Sequence, residues 1–157
     1  MQCSAVMLFF LVLVPAAVQS QESGTLHINP PGLVKPNGYT HVVVAPDRRT
    51  VYIAGQVAFD SIGAMVGAGD FRAQAEQVYG NLERALRSVG ATFGDVVKTT
   101  TYLTDTRNVA VLREVRTRFL DPARPPANTL IAVQALASPQ FLLEIEAVVA
   151  LRAPFTR

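Results

Sequence analysis

Tryptophan is absent from this chain, cysteine occurs once and histidine twice. A lone cysteine cannot form an internal disulfide. Cys3 also lies in an N-terminal segment read below as removable, so neither a thiolate nucleophile nor a thiolate-bound metal is expected. His27 and His41 are too few for a histidine-rich metal centre and far from any HExxH spacing, so no metal and no cofactor is expected. Basic and acidic residues nearly cancel, 14 against 12, for a formal charge of +2. The arginines are scattered, without a basic run or interleaved aromatics, which argues against a nucleic-acid partner. There is no P-loop, no glycine-rich dinucleotide fingerprint after a strand, and no internal repeat.

Apolar residues, by contrast, make up 50% of the 157 positions, which suits one domain with a sizeable core. Part of that share sits in "MQCSAVMLFFLVLVPAAVQSQES", where an apolar run from Ala5 to Val14 ends at Pro15 and small residues. The run is too short to span a bilayer. It reads as a secretory signal peptide over residues 1–20, cut after Val18-Gln19-Ser20, although no Lys or Arg precedes it. The expected product is residues 21–157 as a single domain, secreted or periplasmic, with no membrane association after cleavage.

Residues 21–38 are rich in Pro and Gly and read as irregular. "HVVVA" at 41–45 and "TVYIAG" at 50–55 are β-branched runs joined by "PDRR", a hairpin pattern. A turn is expected at Asp60–Gly63. A helix is predicted from Asp70 to Val89, with Asp70 as N-cap, Gly90 beyond its end, and Phe71, Ala75, Val78, Leu82, Ala85, Leu86 and Val89 on one stripe. "VVKTTTYLTD" reads as a strand in which Thr99, Thr100 and Thr101 are ordinary strand formers. A second helix is predicted from Arg107 to Leu120, stopped by Asp121-Pro122 and burying Leu112, Val115 and Phe119. "NTLIAVQAL" and "FLLEIEAVVAL" supply the last two strands. The predicted class is therefore α+β in the order ββαβαββ, with the helices on one face of the sheet. The other face needs a cover, and self-association supplies it most simply.

The last strand poses a question. Alternation puts Phe141, Leu143, Ile145, Ala147 and Val149 on one side and sends Glu144 and Glu146 to the other. A solvated sheet face explains two such acids, and so does a cleft.

"YTHVV", "VYIAGQVAFD", "QVYGNLERALRSVGATFGDVVKTTTYLTD" and "LLEIEAVVAL" together resemble the Rid/YjgF family of small trimeric proteins, over about residues 33–151. The resemblance implies a chorismate-mutase-like fold with a mixed sheet, a homotrimer, and small-molecule sites at three subunit clefts. It implies enamine/imine deaminase chemistry in the active members. The carried-over site is Glu144 to position a water, Tyr39 to contact the ligand, and the backbone of Gly55. Active members clamp the substrate carboxylate with an arginine that opens the penultimate strand, and here that position falls on Asn128. A second register puts Arg124 there, but two prolines follow it, and it lies four residues further from Glu144.

An amide lacks the permanent charge and bidentate fork of a guanidinium, so 2-imino acids are expected to be poor substrates. Three classes stay open: a C=N hydrolase on another small molecule, a non-catalytic ligand-binding trimer, and a structural trimer. Asn81 is expected to bond a neighbouring loop, and His41 to be structural. Glu146 is expected on the cleft edge beside Glu144, paired with Arg152 or with a residue of the next subunit.

Overall fold

The computed structural model describes residues 24–47 and 49–156; the expected signal peptide lies outside the described residues. Strand β1 (Leu26–Ile28) pairs with β2 (Val42–Val44), which forms a hairpin with β3 (Thr50–Gln56). Asp47 stabilises the hairpin turn: its carboxylate accepts the amides of Arg49 at 2.9 Å and Thr50 at 3.0 Å, an Asx-type turn. Helix α1 (Phe71–Arg87) follows, then β4 (Val96–Leu103), a 3-10 turn at Thr106–Asn108, and α2 (Val109–Arg116). Strands β5 (Ala127–Ala132) and β6 (Leu143–Ala150) complete one six-stranded sheet in the order β1-β2-β3-β6-β4-β5. Only β4 and β5 are parallel, as a crossover through α2 requires; every other pair is antiparallel.

Helix α1 starts where the sequence places it, because the Asp70 side chain accepts the Ala73 amide at 3.1 Å and satisfies an otherwise orphaned donor. Its buried face holds Phe71, Ala75, Val78, Leu82, Ala85 and Leu86, packed on Val42, Val44, Val51, Ile53, Leu143, Ile145 and Val149 of the sheet. Each fully buried Leu or Val in this layer contributes about 1.5–3 kcal/mol relative to exposure.

Three local expectations differ from the structure. β1 falls inside a stretch read as irregular, since three residues between Gly and Pro punctuation are too few to display a period of two. The second helix is shorter, because Asp105 caps a 3-10 turn by accepting the Arg107 amide at 2.9 Å, and α2 proper begins at Val109. Phe119 lies past its end, yet still stacks on Tyr79, with ring centroids 5.0 Å apart. β5 ends at Ala132 and is exposed along its whole length, including Leu130 and Ile131.

Both helices pack on one face. The other face presents Tyr52, Lys98, Thr100, Tyr102, Glu144, Glu146 and Val148. No helix among the described residues is long and apolar enough to cross a membrane.

Candidate functional site

Alternation along β6 settles where the two acids point. Leu143, Ile145, Ala147 and Val149 are buried against the helices, while Glu144 and Glu146 are half-buried on the open face. Glu144 pairs with Tyr102, and Glu146 with Thr100.

On the other side of β6 the pairing with β3 is irregular. Ile53 faces Ala147 and Gln56 faces Ile145, so Ala54 and Gly55 together oppose the single residue Glu146. This extra residue makes a β-bulge, which bends the strand and re-aims its neighbours. Gly55 has no side chain to fill the space thus made, and Glu144 occupies it. A Cβ placed on Gly55 would lie 2.7 Å from the Glu144 Cδ and 2.9 Å from its Cγ, and closer still to Oε1. A lone glycine inside a β-branched run is the sequence signal for such an approach.

Burial, and secondarily the charge of Glu146, push the Glu144 carboxyl above its ordinary pKa. Tyr39 shares this neighbourhood. Partial burial and then the Glu144 charge raise its phenol in turn. The Tyr39 ring stands edge-on to His41, with centroids 5.1 Å apart.

Asn128 is elsewhere. It pairs with Thr99 across the parallel β4–β5 ladder, and its amide nitrogen donates to Thr99 Oγ1 at 2.8 Å and Thr101 Oγ1 at 3.2 Å. Those threonines are buried on the helix side of the sheet, opposite to Glu144. The chain therefore brings together Tyr39, Gly55 and Glu144 and holds Asn128 on the other face. Arg124 sits in the turn before β5, where its Nε donates to Asp121 at 3.1 Å. It lines a hollow with Phe93, Phe119 and Arg152, beside the end of β6. Glu144 is near the start of that strand, roughly 20 Å away at about 3.3 Å per residue.

Glu146 does not pair with Arg152, which reaches Asp95 instead, Nε to Oδ1 at 3.4 Å. The reason is distance along β6: Arg152 lies past its end, whereas Glu146 is mid-strand beside Lys98, lining a shallow depression of about 250 Å³ with Thr40, Tyr52 and Thr100. Asn81 bonds the neighbouring loop, donating to the carbonyls of Val57 at 3.0 Å and Phe59 at 2.9 Å. Gln56 is the residue that sequence reading missed. It is buried and donates both to the Ala54 carbonyl at 2.9 Å and to His41 Nδ1 at 3.2 Å.

The sequence pattern of the family described as Endoribonuclease L-PSP matches residues 33–151. A human protein named 2-iminobutanoate/2-iminopropanoate deaminase is 32% identical over 126 residues, covering 80% of this chain and 87% of its own length. The crystal structure of RidA from an Antarctic Psychrobacter superposes with a TM-score of 0.70 at 32% identity, over 80% of this chain and 98% of that one. A Yersinia pestis protein, YyfB, described as a protein of unknown function of the conserved Rid family, superposes with a TM-score of 0.63 at 42% identity, over 81% and 98% of the two chains. With this sheet order, these two helices and these matches, the chain belongs to the Rid family, known by its sequence pattern as Endoribonuclease L-PSP.

Proposed function

We propose that this chain hydrolyses the C=N bond of a small imine, met directly or as the tautomer of an enamine, at clefts formed between the subunits of a homotrimer, and acts poorly on 2-imino acids. The observation that carries this reading is the Glu144 carboxylate, half-buried on an open sheet face, laid across Gly55 and beside Tyr39. A carboxylate with a raised pKa is a better proton acceptor in the neutral range than an ordinary one. Glu144 takes a proton from water as the water oxygen bonds to the imine carbon. The C=N π electrons move to nitrogen, which takes the proton that Glu144 accepted. The resulting carbinolamine then breaks its C–N bond as its hydroxyl proton passes through Glu144 to the leaving nitrogen, releasing ammonia or an amine and leaving a carbonyl compound. Tyr39 and the Gly55 backbone contact the ligand, and no cofactor takes part.

The weak action on 2-imino acids follows from charge. Glu146 adds a second negative group beside Glu144, and Asn128, to which the resemblance gives the place of the clamping arginine, is a neutral amide turned to the other face of the sheet. The human relative is named for imino-acid substrates, and this chain shares its reaction type but not its carboxylate-bearing substrates. Self-association is supported by the unpartnered open face, where Tyr52 is 52% exposed, and by the apolar residues Leu130 and Ile131 on the edge strand. The apolar N-terminal run supports export to a secreted or periplasmic location.

A second reading, a non-catalytic small-ligand-binding trimer, is favoured by one observation: the Asn128 amide is already engaged by Thr99 and Thr101. The deciding experiment generates imines in situ, from an amine with an amine oxidase and from an amino acid with an amino-acid oxidase, in competition with semicarbazide. Glu144-dependent loss of the amine-derived imine supports the hydrolase. No turnover of either imine, with ligand still bound, supports the binder.

A further inference from the structure

His41 is 2% exposed, and no step above uses it. Its polar groups are nevertheless fully engaged. The main-chain N–H donates to Asn29 Oδ1 at 3.0 Å. Ring Nε2 faces the Val34 carbonyl at 2.9 Å, which can only accept, so this nitrogen carries the proton. Nδ1 is then an acceptor, and Gln56 Nε2 donates to it at 3.2 Å.

The same Gln56 amide donates its other proton to the Ala54 carbonyl at 2.9 Å, while the Ala54 N–H donates to the His41 carbonyl at 3.0 Å. Ala54 is the first of the two bulged residues. Both of its backbone polar groups are thus tied to residue 41, one directly and one through Gln56. Gly55, the second bulged residue, is the floor on which Glu144 lies. The His41 ring also braces Tyr39 edge-on.

We propose that His41 is a positioning residue for Glu144 and Tyr39, acting with Gln56 through the Ala54–Gly55 bulge. The proposal rests on the reading of Glu144 as the water-positioning group. Simple core filling does not explain the arrangement, since an aliphatic residue would suit the space, and the imidazole instead supplies one donor and one acceptor at opposed ends. Loss of either end leaves a buried polar group unpaired. His41 Nδ1 fixes the orientation of the Gln56 amide, that amide fixes the Ala54 carbonyl, and the bulge keeps the room that Glu144 fills.

The test is a carbon-13 carboxyl NMR titration of Glu144, read beside turnover of an amine-derived imine. Gln56→Met keeps the side-chain length and the His41–Val34 bond but removes the clamp on Ala54. The Glu144 titration is then expected to fall toward the ordinary carboxyl value. kcat is expected to drop about ten- to a hundredfold with KM changed by no more than about twofold. His41→Gln, which retains one donor and one acceptor, restores both readouts relative to His41→Ala. If His41→Ala does not fold, Gln56→Met and His41→Gln still decide. A Glu144 titration unmoved in folded Gln56→Met overturns the proposal, and so does a His41→Gln titration matching that of Gln56→Met. Titrations that move as expected in a protein with no turnover refute the hydrolase reading and leave the positioning role standing.

Discussion

Glu144 reaches across the sheet and rests on Gly55, so closely that a methyl group on Gly55 would lie 2.7 Å from the Glu144 Cδ. The clash is with a side chain whose own strand is hydrogen-bonded on both edges, to β3 and to β4. The carboxylate, rather than the backbone, must therefore yield.

Gly55→Ala is expected to destabilise the protein by about 1–3 kcal/mol, the range for overpacking a filled space. Adding Glu144→Ala should relieve most of that cost. A double-mutant cycle by urea denaturation should return a coupling of about 0.5–3 kcal/mol between the two sites. Additive effects would show that the carboxylate is free to swing away.

The Glu144 carboxyl also sets a pH dependence. Burial, then Glu146, raise its folded value above the unfolded 4.5, so the native state binds the proton more tightly. Stability attached to this group is complete below 4.5 and is lost as pH rises through the folded value. Glu144→Gln removes that loss. The variant's melting temperature should gain on wild type between about pH 3 and pH 7, measured by calorimetry across that range. A constant difference would mean that the carboxyl titrates alike in both states.

Asn128→Arg restores a permanent cation at the opening of β5. Removing one partner of a buried charge pair typically costs about 2–5 kcal/mol. At about 1.4 kcal/mol per factor of ten, that is roughly 30- to several-thousandfold. Within one chain residue 128 faces away from Glu144 and its amide is spent on Thr99 and Thr101. The gain in that range expected on the imine of alanine therefore comes from β5 of a neighbouring subunit meeting the Glu144 face. Glu144→Gln in the same background should abolish the gain. Wild-type turnover that already matches an active family member would place the carboxylate clamp on another residue.

Self-association is checked by light scattering at micromolar concentration, where the mature chain should show three times its monomer mass. Tyr52→Lys, in the middle of the open face, should shift the distribution toward monomer while the far-ultraviolet circular dichroism is kept. A clean monomer mass for wild type would sink the cleft reading.

The strands and helices legible in the sequence are those with a long period. Nine residues of alternation, from Phe141 to Val149, were enough to assign both faces of β6, and Asp70 marked the start of α1 through its capping side chain. β1 was not legible, because Leu26–Ile28 is too short to show a period. Within the site, the resemblance located Tyr39, Gly55 and Glu144 as neighbours. It did not reveal that Asn128 turns to the helix side, because parity along β5 is set by its pairing with Thr99 rather than by its own composition. Nor could spacing show that Gln56 and His41 join: they are 15 residues apart, and only the hairpin brings them together.

The sheet order carries a consequence for how the chain reaches this state. β6 is the last strand in sequence, yet it lies in the middle, bonded to β3 on one edge and β4 on the other. Until it inserts, β3 and β4 each expose a bare edge, and nothing in the ladder joins the amino-terminal part of the sheet to the β4–β5 pair. During synthesis the first five strands must therefore wait for residues 143–150, through an interval of open edges and high contact order that slows folding and invites wrong pairing. The strand that ends the wait also carries Glu144. The chain becomes a closed sheet and acquires its acid in one late event.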